Sequence, residues 1–152
     1  MSEVKEFRTE PRVLYRTIRA LVKRPRASLT MDDKKEETEV VVIDDFELQD
    51  STRPARFDVY IAKLDEGIVS SDLGEYVGGY VYIPHSTDRI SHQADLQIGI
   101  TGIVEDIEAD ASEELVVSIV PRGGLFTIPG VSIQLLKHEI PSSEELNEES
   151  LD

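Results

Sequence analysis

The stretch Glu75-Tyr76-Val77-Gly78-Gly79-Tyr80-Val81-Tyr82-Ile83-Pro84-His85 decides how the chain is read. In an extended backbone successive side chains point to opposite faces, so Tyr76, Gly78, Tyr80 and Tyr82 share one side and Val77, Gly79, Val81 and Ile83 the other. Apolar or aromatic residues at both parities predict a central strand with both faces covered. The Gly78-Gly79 pair predicts a bulge or the close approach of a neighbouring backbone, and Pro84, lacking an N–H, ends the ladder at a fixed place. Residues 85–95 are polar except for Ile90 and Ala94, and read as a loop presenting one large aliphatic side chain, Ile90.

Outward from that strand, Arg56 to Ile61 alternates cleanly, with Phe57, Val59 and Ile61 on the inner face. Val40 to Ile43 is β-branched throughout and continues as a strand towards Phe46 and Leu48. Val13 to Lys23 fits helical and strand spacing alike and is assigned as strand. Leu96 to Ile100 alternates, after which Ile100, Ile103, Val104 and Ile107 stand at helical spacing, predicting one short amphipathic helix that Thr101 caps. Leu115 to Val120 is a further strand, stopped by Pro121, and Val131 to Leu135 is the last, after a Pro129-Gly130 turn. About seven strands and one helix, punctuated by turns, predict an all-β fold: an antiparallel β-sandwich or jelly-roll-like domain.

The domain is expected over residues 13–138, with a flexible lead-in at 1–12 and a disordered acidic tail at 139–152. An exposed charged connector at 27–39 is expected to be nicked early by proteases between Leu29 and Glu39. At 152 residues, 39% hydrophobic and 31% charged, the chain suits one soluble globular domain. No apolar run approaches the roughly 18 residues of a membrane span. The N-terminal stretch has no apolar core of a signal peptide, and Glu3, Glu6 and Glu10 do not suit a transit sequence, so targeting is expected to reside on a precursor. Residues 1–26 hold eight Lys or Arg against three Glu, a local +5 that leaves −20 for the rest of a chain at −15. So acidic a body repels phosphate backbones, which argues against a nucleic-acid partner. The absence of cysteine excludes disulfides, thiolate nucleophiles and cysteine-rich zinc sites.

The three histidines, His85, His92 and His138, could form a small metal site with Asp88 or Asp95 if the fold gathers them. Three unrelated histidines at a strand end, in a loop and in a tail are the preferred reading; His85, directly after Pro84, could equally hold the loop by a hydrogen bond. Asp44-Asp45, Glu105-Asp106-Ile107-Glu108 and Glu113-Glu114 lack the spacing of a calcium loop and read as a solvated acidic face. Gly78-Gly79 and Arg122-Gly123-Gly124 lack the strand-to-helix setting of a phosphate cradle. No Gly-x-Ser-x-Gly elbow occurs. The residues by themselves suggest no catalytic site.

Several segments, in order, resemble the C-terminal domain of the plant polyphenol oxidases, the family of catechol oxidases, tyrosinases and aurone synthase. Arg56-Phe57-Asp58-Val59 resembles that domain's Lys-Phe-Asp-Val signature, and Glu75 to His85 resembles its Glu-Phe-Ala-Gly-Ser-Phe-Val-Asn-Val-Pro-His segment. Gln97 to Asp106, Val120-Pro121-Arg122-Gly123-Gly124 and Val22-Lys23-Arg24-Pro25 are similar to further family motifs, covering about Arg16 to Leu136. The resemblance implies a non-catalytic regulatory domain that shields the dicopper site of a latent o-diphenol oxidase until proteolysis or displacement. The two copper ions would be held by six histidines of a helical catalytic domain, the partner, with no cofactor in this chain and an activating protease as second partner. It further implies a chloroplast, thylakoid-lumen location, a plug role for Ile90, loop support from Pro84 and His85, and release once the connector is cut. A free-standing β-sandwich binding module is the alternative function, and a small metalloenzyme using the three histidines a third.

Overall fold

The computed structural model describes residues 11–25, 37–64, 73–84 and 92–137. The β-branched run Val40–Ile43 lies in the longest strand, β3 (Glu37–Leu48), which organises the first sheet. One edge of β3 pairs with β6 (His92–Gly99). Its other edge is shared between β9 (Ser132–Lys137), along Glu37–Val42, and β8 (Phe126–Ile128), at Glu47–Leu48. The short β1 (Arg12–Val13) extends that sheet beyond β8. The second sheet has the order β2 (Ile18–Lys23), β7 (Glu114–Gly123), β4 (Ala55–Lys63), β5 (Glu75–Tyr82). Every ladder is antiparallel. The fold is thus an all-β sandwich with, among the described residues, one short helix, α1 (Thr101–Asp106).

Aromatic side chains from both sheets meet at its centre. Phe46 and Phe126 come from the first sheet and Phe57 and Tyr80 from the second. Ring centroids lie 5.2 Å apart for Phe46–Phe57, 4.8 Å for Phe46–Tyr80 and 5.0 Å for Phe57–Phe126, all edge-to-face, the arrangement ring quadrupoles favour. Ile43, Ile61, Ile119 and Leu115 complete the core, and α1 closes one end by placing Val104 in it, with Ile103 and Ile107 packed alongside.

Several expectations are corrected. Glu75–Tyr82 is an edge strand of its sheet, not a central one, because β4 uses its other edge for β7. Apolar residues at both parities arise there because Val81 and Ile83 stand on the surface, 61% and 71% exposed. The glycine bulge is present: Val59 faces Gly78 while Tyr60 faces Tyr76, leaving Val77 as the extra residue. Val77 therefore packs against the core and Tyr76 turns outward, its ring 5.6 Å from that of Tyr60. A Cβ on Gly79 would drive into the Phe57 carbonyl oxygen, which is the close approach its sequence position suggested.

The segment 13–23 is two strands in different sheets, because the chain crosses between layers after the buried Leu14, whose N–H donates to the Phe126 carbonyl at 2.8 Å. β3 begins at Glu37, so the last three residues of the expected connector are ladder residues. β6 begins at His92, which takes His92–Asp95 out of the expected loop. β7 continues through Pro121 by means of a bulge between Phe57↔Pro121 and Arg56↔Gly123, a position where a missing N–H is tolerated. Strand β8 was not expected at all. Thr101 makes no side-chain cap; its Oγ1 instead accepts the Glu39 N–H at 2.9 Å. The lead-in before residue 11, residues 27–36 of the connector and the acidic tail lie outside the described residues.

Candidate functional site

Strand β4 splits the Arg56-Phe57-Asp58-Val59 motif between two faces. Phe57 and Val59 point into the core and are fully buried, whereas Arg56 and Asp58 point outward. Asp58 is nonetheless only 4% exposed. Gly79 opposite it carries no side chain, and two guanidinium groups close over it. Arg56 Nε donates to Oδ1 at 2.9 Å and Arg122 Nε, from the β7 bulge, donates to Oδ2 at 3.0 Å. Arg122 Nη2 also donates to the Tyr60 hydroxyl at 3.1 Å. The hydrogen bond to Asp58 is the first cause raising both arginine pKa values above their ordinary range, so the cluster keeps its two positive charges at any physiological pH. The side chains of Arg56 and Arg122 remain about half exposed, 51% and 45%.

The segment that carries Ile90 is flanked by β5 of the second sheet and β6 of the first. On the entry side the Tyr82 hydroxyl donates to the Ser51 carbonyl at 3.0 Å, and Ile83 and the half-buried Pro84 follow. On the exit side His92 Nε2 lies 3.0 Å from the Tyr80 hydroxyl, and its ring is 4.9 Å from that of Tyr82. Burial raises the Tyr80 pKa above the usual phenol value, with the neighbouring Tyr82 a smaller cause. The phenol therefore stays protonated and available as a hydrogen-bond donor to the imidazole. Ile90 and His85 lie outside the described residues. Pro84 stands directly after β5, at the end of the ladder.

The metal alternative finds no gathered ligands in this part of the chain. Among the described residues no three His, Cys, Asp or Glu side chains are placed to hold one ion. His92 is occupied by Tyr80, and Asp95 Oδ1 accepts the Asp45 N–H at 2.7 Å, bracing the β3 bulge where Asp45 has φ +54°. His85, Asp88 and His138 lie outside the described residues. Among the described residues, the groups present do not fit a dicopper centre. No helix among the described residues is long and apolar enough to cross a membrane.

Sequence reasoning missed the partners of the two arginine clusters. Arg122 was visible only as part of a motif, and its acceptor lies 64 residues away. Arg24, which the sequence shows only as part of the Val22-Lys23-Arg24-Pro25 motif, forms a buried ion pair with Glu39, Nε to Oε2 at 2.6 Å. The only local signal was a charged residue on either side of a charged connector.

A family model described as the chloroplastic polyphenol oxidase C-terminal domain matches residues 10–135. (+)-Larreatricin hydroxylase, chloroplastic, of Larrea tridentata is 33% identical over 137 residues, covering 85% of this chain and 23% of that protein. Polyphenol oxidase, chloroplastic, of Malus domestica is 34% identical over 119 residues, covering 77% of this chain and 20% of that protein. Among solved structures, latent apple tyrosinase superposes with a TM-score of 0.74 at 31% identity, covering 88% of this chain and 29% of that one. Latent aurone synthase from a natural source gives a TM-score of 0.74 at 28% identity, covering 90% and 27%. The chain thus spans between a fifth and a quarter of the length of these two curated relatives. With its Arg-Phe-Asp-Val strand, glycine-bulged edge and two-sheet architecture in place, the chain belongs to the family of chloroplastic polyphenol oxidase C-terminal domains.

Proposed function

We propose that this chain is the non-catalytic shielding domain of a plant polyphenol oxidase, covering the dicopper entrance of the parent enzyme in its latent form. The observation that carries the reading is the construction around residues 85–91. Both ends of that segment are tied to the rigid sandwich, by Tyr82 to Ser51 and by Tyr80 to His92, while the adjoining outward side chains Val81 and Ile83 are aliphatic and exposed. Flanks held in this way suit a scaffold that offers a short segment to a pocket. The matched structures are of proteins named as latent forms, which supports the same reading.

In this mechanism Ile90 enters the apolar mouth of the catalytic domain and excludes the phenolic substrate, with Pro84 and His85 holding its loop. The two coppers belong to that catalytic domain, whose chemistry is o-diphenol oxidation. A covalent tether presents the plug at an effective concentration on the order of millimolar, and proteolysis or displacement removes it. The relatives named chloroplastic support a chloroplast location, and we assign the thylakoid lumen as the compartment. Ile90→Gly in the full-length latent enzyme is the test. It is expected to raise diphenol oxidation without proteolysis, and unchanged latency in a correctly folded variant would contradict the plug assignment.

A further inference from the structure

The exposed end of β5 forms a surface that the plug does not account for. Val81 pairs across the ladder with Arg56, and Arg56 in turn faces Gly123 of β7, so Val81, Arg56 and the Arg122 bulge make one row across three strands. Together with Ala55, Tyr82 and Ile83 they line an open groove of about 260 Å³. Two outward aliphatic side chains, 61% and 71% exposed, thus stand beside two half-exposed guanidinium groups. The Arg56–Asp58–Arg122 cluster carries two positive charges and one negative, a positive spot on a chain of net charge −15.

We propose that this groove is a second contact with the catalytic domain of the parent enzyme, separate from the plug, and that it takes an apolar side chain flanked by a carboxylate. The inference rests on the shielding role proposed above. Charge complementarity selects the occupant: the two guanidinium groups, each bonded to Asp58 through Nε and about half exposed, outnumber the one carboxylate between them, which suits a second carboxylate. A second copy of this chain is disfavoured, because a two-fold contact would set one pair of arginines against the other. The curated relatives carry more than three quarters of their length outside the matched region, so a large surface of the same polypeptide is at hand to fill the groove. Contact here divides the work: the row of Val81, Ile83, Arg56 and Arg122 supplies affinity and register, and the plug supplies occlusion.

The test is titration calorimetry of this chain against the separately prepared catalytic domain, with variants Val81→Ser/Ile83→Ser and Ile83→Asp. Both changes are on the surface, and circular dichroism with thermal melting verifies that the sandwich is intact. The proposal expects each variant to bind at least about tenfold more weakly than the parent chain, with binding of the parent chain falling as salt rises. Gln134→Asp, an exposed substitution on β9 of the other sheet, is expected to bind as the parent chain does. Parent-level binding by both groove variants would overturn the groove while leaving the shielding role standing. Failure of the unmodified chain to bind would overturn both.

Discussion

The Arg24–Glu39 pair and the Arg56–Asp58–Arg122 cluster use the same two chemical groups in opposite surroundings. In the first, both side chains are at most 1% exposed, and Arg24 also donates to the carbonyls of Ala109 at 2.9 Å, Asp110 at 2.8 Å and Ser112 at 2.7 Å. Its Nη2 reaches Glu39 Oε1 at 2.8 Å, so one guanidinium joins the end of β2, the start of β3 and the turn after α1. In the second, the carboxylate is buried but both arginines are about half in water. The difference is one of role. A desolvated charge must have its partner, so the first cluster specifies where three chain segments meet; a hydrated arginine can exchange partners, so the second can serve recognition.

The largest effect should come from breaking the buried pair. Glu39→Ala leaves Arg24 charged and uncompensated in the interior and should cost about 3–5 kcal/mol of unfolding free energy, read by denaturant titration. A loss below about 1 kcal/mol would mean that water reaches the site and that the two clusters are alike after all. Gly79→Ala, which forces a Cβ onto the Phe57 carbonyl oxygen beside Asp58, should cost about 1–3 kcal/mol. A neutral result there would show that β5 can move away from β4 freely. Arg122→Met leaves the buried Asp58 with Arg56 as its ion-pair partner, so it should lower the melting temperature less than Glu39→Ala does, while weakening association with the catalytic domain. A large drop in melting temperature would make the outer cluster structural like the inner one.

The buried pair also changes what a cut in the connector does. On its N-terminal side, Leu14 between β1 and β2 and Ile18, Ala20 and Val22 of β2 enter the core, and β2 forms six pairs with β7. With a specific protease site placed between Asp32 and Asp33 and cleaved, the two pieces should still co-elute on size exclusion. Separation under native conditions would show that the ladder and the Arg24–Glu39 pair are too weak to hold them. Release of the shield is therefore expected to need a cut elsewhere or displacement of the whole sandwich, not the simple detachment on cutting the connector that the resemblance implies.

What could be read in the residues was local. Alternation located Phe57, Val59 and Ile61 on the inner face of β4, and the helical spacing of Ile100, Ile103, Val104 and Ile107 located α1, because both periods are properties of one segment. Pairing is a property of two. Nothing within Glu75–Tyr82 records that it ends a sheet, and nothing within Val13–Lys23 records the change of layer at Leu14. Phe126–Ile128 is too short to show a period at all. For the candidate site, the resemblance supplied the Arg56–Val59 motif, yet the acceptor of Arg122 and the partner of Arg24 emerged only from tertiary structure.

The most direct test of the shielding account is to add this chain, at rising concentration, to the separately prepared catalytic domain and follow o-diphenol oxidation. The account predicts that the rate falls as the chain binds, and that the Ile90→Gly chain binds but no longer inhibits. Full activity of a catalytic domain that calorimetry shows to be saturated with the unmodified chain would contradict it.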